Sequence, residues 1–187
     1  MDALRRENQH YTYSDYAAWD DGLRWELVDG AAYMMSPSPT WRHQELSANL
    51  SGQLYNYLKG KPCSVLNAPL DVRLNADTTD DTVVQPDIIV VCDRSKLCET
   101  GCVGAPDMVI EILSPSTSRL DRTLKFNKYL QAGVREYWIV DPDTKTISVH
   151  ILRDGEYLTR VYTDADTAPV HVLEGCVINL TEVFDVE

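Results

Sequence analysis

No apolar run in the chain approaches the length of a membrane span, and its start, MDALRRENQH, has no apolar signal core, so the expectation is a cytoplasmic protein with no membrane partner. Cysteine is sparse and unpatterned. Cys63, Cys92, Cys98, Cys102 and Cys176 are odd in number and contain no CxxC pair, which argues against a zinc knuckle or a disulfide framework and predicts reduced thiols. A glycine-rich phosphate loop, a GxSxG nucleophile elbow and an HExxH zinc motif are all missing, and with them the chemistries each supports. There is no internal repeat or low-complexity tract. Positive charge is also scarce: 17 Lys and Arg stand against 29 Asp and Glu, a net charge of −12, which counts against a broad basic surface for a polyanion.

What is present fits one domain, residues 1–187, large enough for a real core and ordinary in composition at 44% hydrophobic and 25% charged residues. The scarcity of positive charge is not uniform. Between Ser118 and Arg135, Arg119, Arg122, Lys125, Lys128 and Arg135 face the single acid Asp121, a local net charge of +4.

In chain order, YTYSDYAAWDDG reads as a short helix that Thr12 or Ser14 could cap and Gly22 could end. RWELVDGAAYMMSPSP reads as a hairpin turning at Asp29-Gly30, its second strand closing at Pro37 and Pro39. Glu26, between Trp25 and Leu27, is either an edge-strand acid facing solvent or part of a site. A helix is predicted from Thr40 to about Lys59, because Leu46, Leu50, Leu54 and Leu58 recur every four residues and Gly60 stops the run. His43 falls near its buried face, as a packed residue or a neighbour of a site. SVLNAPLDVRL reads as a strand and NADTTDDT as a polar loop. SPSTSRLDRTLKFNKYLQAGVREYWIVDP carries a second helix, capped by its serines and threonines, packed through Leu124, Phe126 and Leu130 and ended by Gly133, then a strand. KTISVHIL, EYLTRVYT and GCVINL complete the strands; His150 and His171 read as surface or sheet residues. The pattern is α+β: a central mixed sheet flanked by the helices near 40–59 and 118–132, with β-hairpins on both sides.

Two acids are out of place. Asp87 interrupts the apolar run Val83–Val91, and Glu111 the run from Met108 to Leu113. A carboxylate in such a run is costly to desolvate unless it is paired, hydrogen-bonded or bound to a cation, the alternative being a strand end that touches water. Asp121, Lys125, Lys128 and Tyr129 share one side of the second helix, so Lys125 can point back toward these acids; a plain exposed Asp121–Lys125 ion pair is the simpler reading. Two strand-borne carboxylates with a lysine suit Mg²⁺ or Mn²⁺ and metal-dependent phosphodiester hydrolysis. A phosphohydrolase acting on a small molecule stays open.

Pro86-Asp87, then 23 residues, then Glu111 resembles the PD-(D/E)XK nuclease superfamily. ELVDG, MMSPSP with His43, VVQPDIIVV, EILSPS and KFNKYLQAGVREYWIVDP resemble, more specifically, its Uma-two family of restriction endonucleases, from about Tyr13 to Val183. The resemblance implies a restriction endonuclease-like core and a Mg²⁺-dependent deoxyribonuclease acting on DNA as a homodimer. It implies Asp87 and Glu111 as metal ligands, Lys125 as base or stabiliser and Glu26 as an additional acid, with His43 and Gln85 beside the site and Lys128 as the alternative lysine. The superfamily's lysine stands two residues after the second acid, where this chain has Leu113; Lys125 matches the families that supply it from the next helix. The contrasting expectation is an inactive nuclease-like module that binds nucleic acid or a protein.

Overall fold

The computed structural model describes residues 5–6, 9–35, 38–115 and 118–186. A two-residue strand β1 (Arg5–Arg6) and a single helical turn α1 (Tyr13–Tyr16) precede the hairpin of β2 (Trp25–Val28) and β3 (Ala31–Met34). Asp29 and Gly30 adopt left-handed φ of 51° and 71°, the geometry a two-residue hairpin turn demands. The predicted close of β3 at Pro37 lies outside the described residues. Thr40 caps α2 (Trp41–Leu58) by accepting from the His43 backbone N–H at 3.3 Å, and Leu46, Leu50, Leu54 and Leu58 are buried as the four-residue spacing predicted.

SVLNAPLDVRL is not one strand. It divides into β4 (Ser64–Asn67) and β5 (Asp71–Arg73), which join different sheets. The apolar run 83–91 likewise divides, into β6 (Val83–Val84) and β7 (Ile88–Val91), because Pro86 cannot donate to a ladder and the chain turns there from one sheet to the other. β8 (Leu97–Cys98) and β9 (Gly101–Val103) form a small hairpin, followed by β10 (Met108–Ile112). One sheet has the order β1-β3-β2-β6-β5-β9-β8.

From β10 the chain passes through a helical segment and returns as β11 (Glu136–Asp141), parallel to β10. That segment is α3 (Ser118–Leu120), a π-turn over Asp121–Lys125 and α4 (Phe126–Ala132), closed by Gly133 at φ 82°. Ser116 and Thr117 of its expected cap lie outside the described residues. Leu124, expected to pack, is exposed; Tyr129 is the residue buried in α4. β12 (Thr146–Arg153) and β13 (Glu156–Thr163) complete the second sheet, ordered β13-β12-β11-β10-β7-β4. β14 (Thr167–Pro169), which the pattern did not reveal, pairs with β15 (Val177–Asn179), and α5 (Leu180–Val183) follows.

Alternation along the strands of the second sheet splits the core between its two faces. Ile88, Val90, Met108, Ile110 and Ile112 pack with the leucines of α2. Ile89, Val91, Val109 and Tyr137 pack with Tyr129 of α4, so the two helices flank the sheet as expected. This is the α+β class read from the sequence. No helix among the described residues is long and apolar enough to cross a membrane.

The expectation of five reduced thiols is overturned: Cys63 and Cys92 form a disulfide, while Cys98, Cys102 and Cys176 are free. β4 pairs antiparallel with β7 with Ser64 opposite Val91, so the next position in register sets Cys63 against Cys92. Spacing within the sequence carries no sign of this. The bridge closes a separation of 29 residues, and loop-closure entropy assigns it about 3–4 kcal/mol. Reduction is therefore expected to lower the melting temperature by roughly 6–16 °C; an unchanged melt in reductant would remove the bridge from the account.

Candidate active site

The second sheet turns its Glu111 face toward α4, and the register of β7 against β10 decides what stands beside that residue. Val90 lies opposite Met108, Ile89 opposite Val109 and Ile88 opposite Ile110, so the next position sets Asp87 beside Glu111. Residues opposed in this way share a sheet face. Asp87 is at the strand's entry, with a side chain 21% exposed, rather than in the strand interior. Its Oδ2 accepts the Ile112 backbone N–H at 2.7 Å. Glu111 lies within β10 and is buried.

Glu26 comes from the other sheet. β2 is an interior strand between β3 and β6, so Glu26 is buried and not an edge acid. Its Oε1 accepts the Gln85 backbone N–H at 2.8 Å. The turn Gln85-Pro86-Asp87, where the chain leaves one sheet for the other, thus brings the three acids to one corner.

The π-turn brings Lys125 to the same corner, in keeping with the frequency of such turns at functional sites. Its Nζ lies 2.8 Å from Glu26 Oε1, 3.0 Å from Glu111 Oε1 and 3.4 Å from Asp121 Oδ1. Lys125 and Asp121 are both buried, which replaces the exposed ion pair with an internal one. Tyr129, fully buried, donates its phenol proton to Glu111 Oε1 at 2.7 Å. The sequence placed Tyr129 on the same helix side as Lys125 but carried no sign that it would bind the acid.

Burial pushes the Glu111 carboxyl well above the usual carboxylate range, against the opposing pull of Lys125. Burial alone would lower the Lys125 ammonium. Glu111, then Glu26 and Asp121, outweigh it and hold the amine well above its ordinary value, so Lys125 keeps its proton. Tyr129 is pushed up by burial and by Glu111, and remains a donor.

His43 approaches from the first turn of α2. Its Nε2 lies 3.1 Å from the Ile112 carbonyl and 3.3 Å from Asp87 Oδ2, two acceptors, so this nitrogen carries the proton. Burial lowers its pKa, but the hydrogen bond and charge of Asp87 outweigh that and raise it. Gln85 contributes its backbone to the corner and its side chain elsewhere, donating to Tyr16 Oη at 3.0 Å and Asp71 Oδ1 at 2.9 Å. Lys128 Nζ lies 2.6 Å from Asp29 Oδ1, on the β2–β3 turn. The second Pro-Asp pair, at 106–107, is structural: Asp107 accepts from the Cys92 N–H at 2.7 Å and from Arg135 at 2.8 Å. His150 is buried against Phe126, Tyr137 and Tyr157, which lowers its pKa to about 4.

The corner fits a divalent cation on two grounds. Glu26 and Glu111 share the one ammonium of Lys125, and Asp87 stands beside one histidine, a concentration of acids in a largely buried place. Both donors to Glu111 use Oε1 and both neighbours of Asp87 use Oδ2, so Glu111 Oε2 and Asp87 Oδ1 have no hydrogen-bond partner among the described residues. Among those residues, no three His, Cys, Asp or Glu side chains converge on a metal position. Two hard oxygens with water completing the shell is how Mg²⁺ is ordinarily held. Tyr129→Phe is expected to cost about 1–3 kcal/mol by leaving a buried carboxylate one donor short, read as a lower urea midpoint at unchanged slope; an unaltered midpoint would show that the phenol does not hold Glu111.

The sequence model of the Uma2 family, described as "Putative restriction endonuclease", matches residues 13–181. "Uncharacterized protein slr1290" of Synechocystis sp. (strain ATCC 27184 / PCC 6803 / Kazusa) is 31% identical over 156 residues, spanning 81% of this chain and 80% of that protein. The crystal structure of "a putative nuclease belonging to DUF820" from Anabaena variabilis ATCC 29413 matches with a TM-score of 0.75, covering 92% of this chain and 97% of that one at 22% identity, a likeness of fold.

Proposed function

The chain belongs to the Uma2 family, and from that premise we propose that it is a divalent-cation-dependent nuclease that hydrolyses DNA phosphodiester bonds at the Asp87–Glu111 corner. The observation that carries the reading is the pair of strand-opposed carboxylates, each with one oxygen held by the protein and one without a partner among the described residues. Oxygen donors of this kind favour Mg²⁺ or Mn²⁺. Such an ion, when bound, supplies an acidified water and neutralises charge on a phosphate.

The chain's own residues divide the remaining work. Asp87 Oδ1 and Glu111 Oε2 would be the ligand atoms. Lys125, buried behind Glu111 with its proton retained, acts as a stabiliser and not as a base. It offsets the charge of Glu26, Glu111 and Asp121, so that Glu111 can ionise in a buried place. Glu26 ties Lys125 to the Gln85 backbone and so fixes it relative to the turn that carries Asp87. His43 donates toward Asp87 Oδ2 and the Ile112 carbonyl, which holds Asp87 through Oδ2 and leaves Oδ1 without a hydrogen-bond partner among the described residues.

Supercoiled plasmid incubated with Mn²⁺, Mg²⁺ or EDTA tests the reading. Open circles are expected with either metal and the wild-type chain, and neither in EDTA nor with Asp87→Ala. Cleavage that persists in Asp87→Ala would put the chemistry elsewhere, and a wild-type chain that leaves plasmid intact would favour a non-catalytic module.

A further inference from the structure

The two large sheets have four ends among the described residues, and three of them are short. β1 and β8 end the first sheet with two residues each, and β4 ends the second with four. The fourth end is β13, eight residues long and paired on one side only, to β12. A free strand edge offers a row of unpaired N–H and C=O groups, which proteins ordinarily protect with a lysine, a proline, a bulge or a covering element. β13, EYLTRVYT, has no lysine and no proline, and its register on β12 runs unbroken from Glu156 to Thr163, so it has no bulge. Nor is it covered: Glu156, Leu158, Thr159, Arg160 and Val161 are exposed, Leu158 at 55% and Val161 at 63%.

The side chains of β13 form a pattern that complements itself. Glu156, Leu158 and Arg160 alternate onto one face of the strand, the acid and the base equally spaced about the leucine. When two copies of the strand run antiparallel with Leu158 opposite Leu158, that spacing sets each Glu156 directly opposite the second copy's Arg160. Opposite charges in this position stabilise a strand pair, and like charges destabilise it. Both groups are open to such a partner. Neither Glu156 nor Arg160 has an ion pair among the described residues, and Glu156 faces Arg153 across the β12–β13 hairpin without pairing to it. Leu158 lies opposite Ile151 of β12, so the same register continues the apolar row of these two residues into the second copy and takes both leucines out of water. Centring the strands on Arg160 would instead set two guanidinium groups against each other.

We propose that β13 is a homodimer contact, in which a second copy of this chain adds its own β13 antiparallel about a two-fold axis at Leu158. The interface is isologous, the same patch on both copies. The two six-stranded sheets become one. Antiparallel pairing of identical strands about such an axis keeps each sheet face on its own side, so both Glu111 corners lie on the same side of the joined sheet.

Sedimentation equilibrium of the full chain tests the proposal, with wild type, Arg160→Glu, Glu156→Arg and the double exchange Glu156→Arg/Arg160→Glu. Wild type is expected to show a concentration-dependent monomer–dimer equilibrium that salt weakens. Each single reversal replaces two opposite-charge pairs with two like-charge pairs, and is expected to weaken the dimer at least about fivefold. The double exchange restores the pairing and most of the affinity. Both positions are exposed, so every variant is expected to keep the wild-type circular dichroism spectrum. A wild-type chain that stays monomeric up to about 0.1 mM, a dimer that neither single reversal weakens, or a double exchange no tighter than the single ones overturns the proposal. None of these outcomes depends on cleavage of plasmid, so the dimer and the nuclease stand or fall separately.

Discussion

Replacing Lys125 with methionine is expected to lower the melting temperature by roughly 6–20 °C at neutral pH, the equivalent of about 3–5 kcal/mol for removing one partner of a buried ion pair, and to abolish metal-dependent cleavage. Methionine keeps the length and apolar stem of the side chain, so packing is little disturbed. What is lost is the ammonium at 2.8 Å from Glu26, 3.0 Å from Glu111 and 3.4 Å from Asp121. The sign of the pH dependence follows from the raised Lys125 pKa. The wild-type contribution is fully present below the ordinary lysine value and is lost only as pH rises through the higher folded one. In the variant, the abandoned carboxylates gain protons as pH falls toward the carboxylate range. The gap in melting temperature between the two proteins is therefore wide at pH 7–8 and narrows at acid pH. Thermal melts across that range check it; a constant gap would mean that the lost stability came from packing and not from charge.

Glu111→Gln is expected to separate stability from function. Its pKa is raised by burial, so the ionised form costs the folded state stability from the ordinary carboxylate value upward, through the raised folded value. Glutamine does not titrate, and its Oε1 still accepts from Lys125 and Tyr129, as Glu111 Oε1 does at 3.0 and 2.7 Å. The variant should be at least as stable as wild type at pH 8, with the advantage shrinking as pH falls through the raised folded value of Glu111 and gone by the ordinary carboxylate value. Cleavage should nonetheless fall on the order of 10³-fold, the scale of several kcal/mol of charge stabilisation lost with a ligand oxygen. A stable variant with near wild-type cleavage would exclude Glu111 as a ligand. A strongly destabilised one would mean that the Lys125 pairing outweighs the cost of burying the acid.

Asp87, Glu111 and Lys125 were legible in the sequence because each breaks a pattern: two acids interrupt apolar β-branched runs, and a lysine shares a helix side with Asp121. Glu26 was legible only as an alternative, since whether β2 is an edge strand depends on β6 pairing to it from 56 residues along the chain, Leu27 opposite Val83. The division of 83–91 between two sheets left one faint trace, Gln85-Pro86, inside a run whose hydrophobicity is continuous. The disulfide left none, because Cys63 and Cys92 meet through the register of β4 and β7 and not through any spacing. Tyr129 was visible as a position and not as a role: helical periodicity reports which side a residue faces, and only the closed structure reports the carboxylate it meets.

Calorimetric titration of Mn²⁺ into the wild-type chain and into Asp87→Ala tests the account most directly, because it reads occupancy of the corner without depending on substrate. The account predicts a saturable isotherm for wild type that is lost in Asp87→Ala. No binding heat in the wild type, or the same isotherm in both proteins, would contradict it.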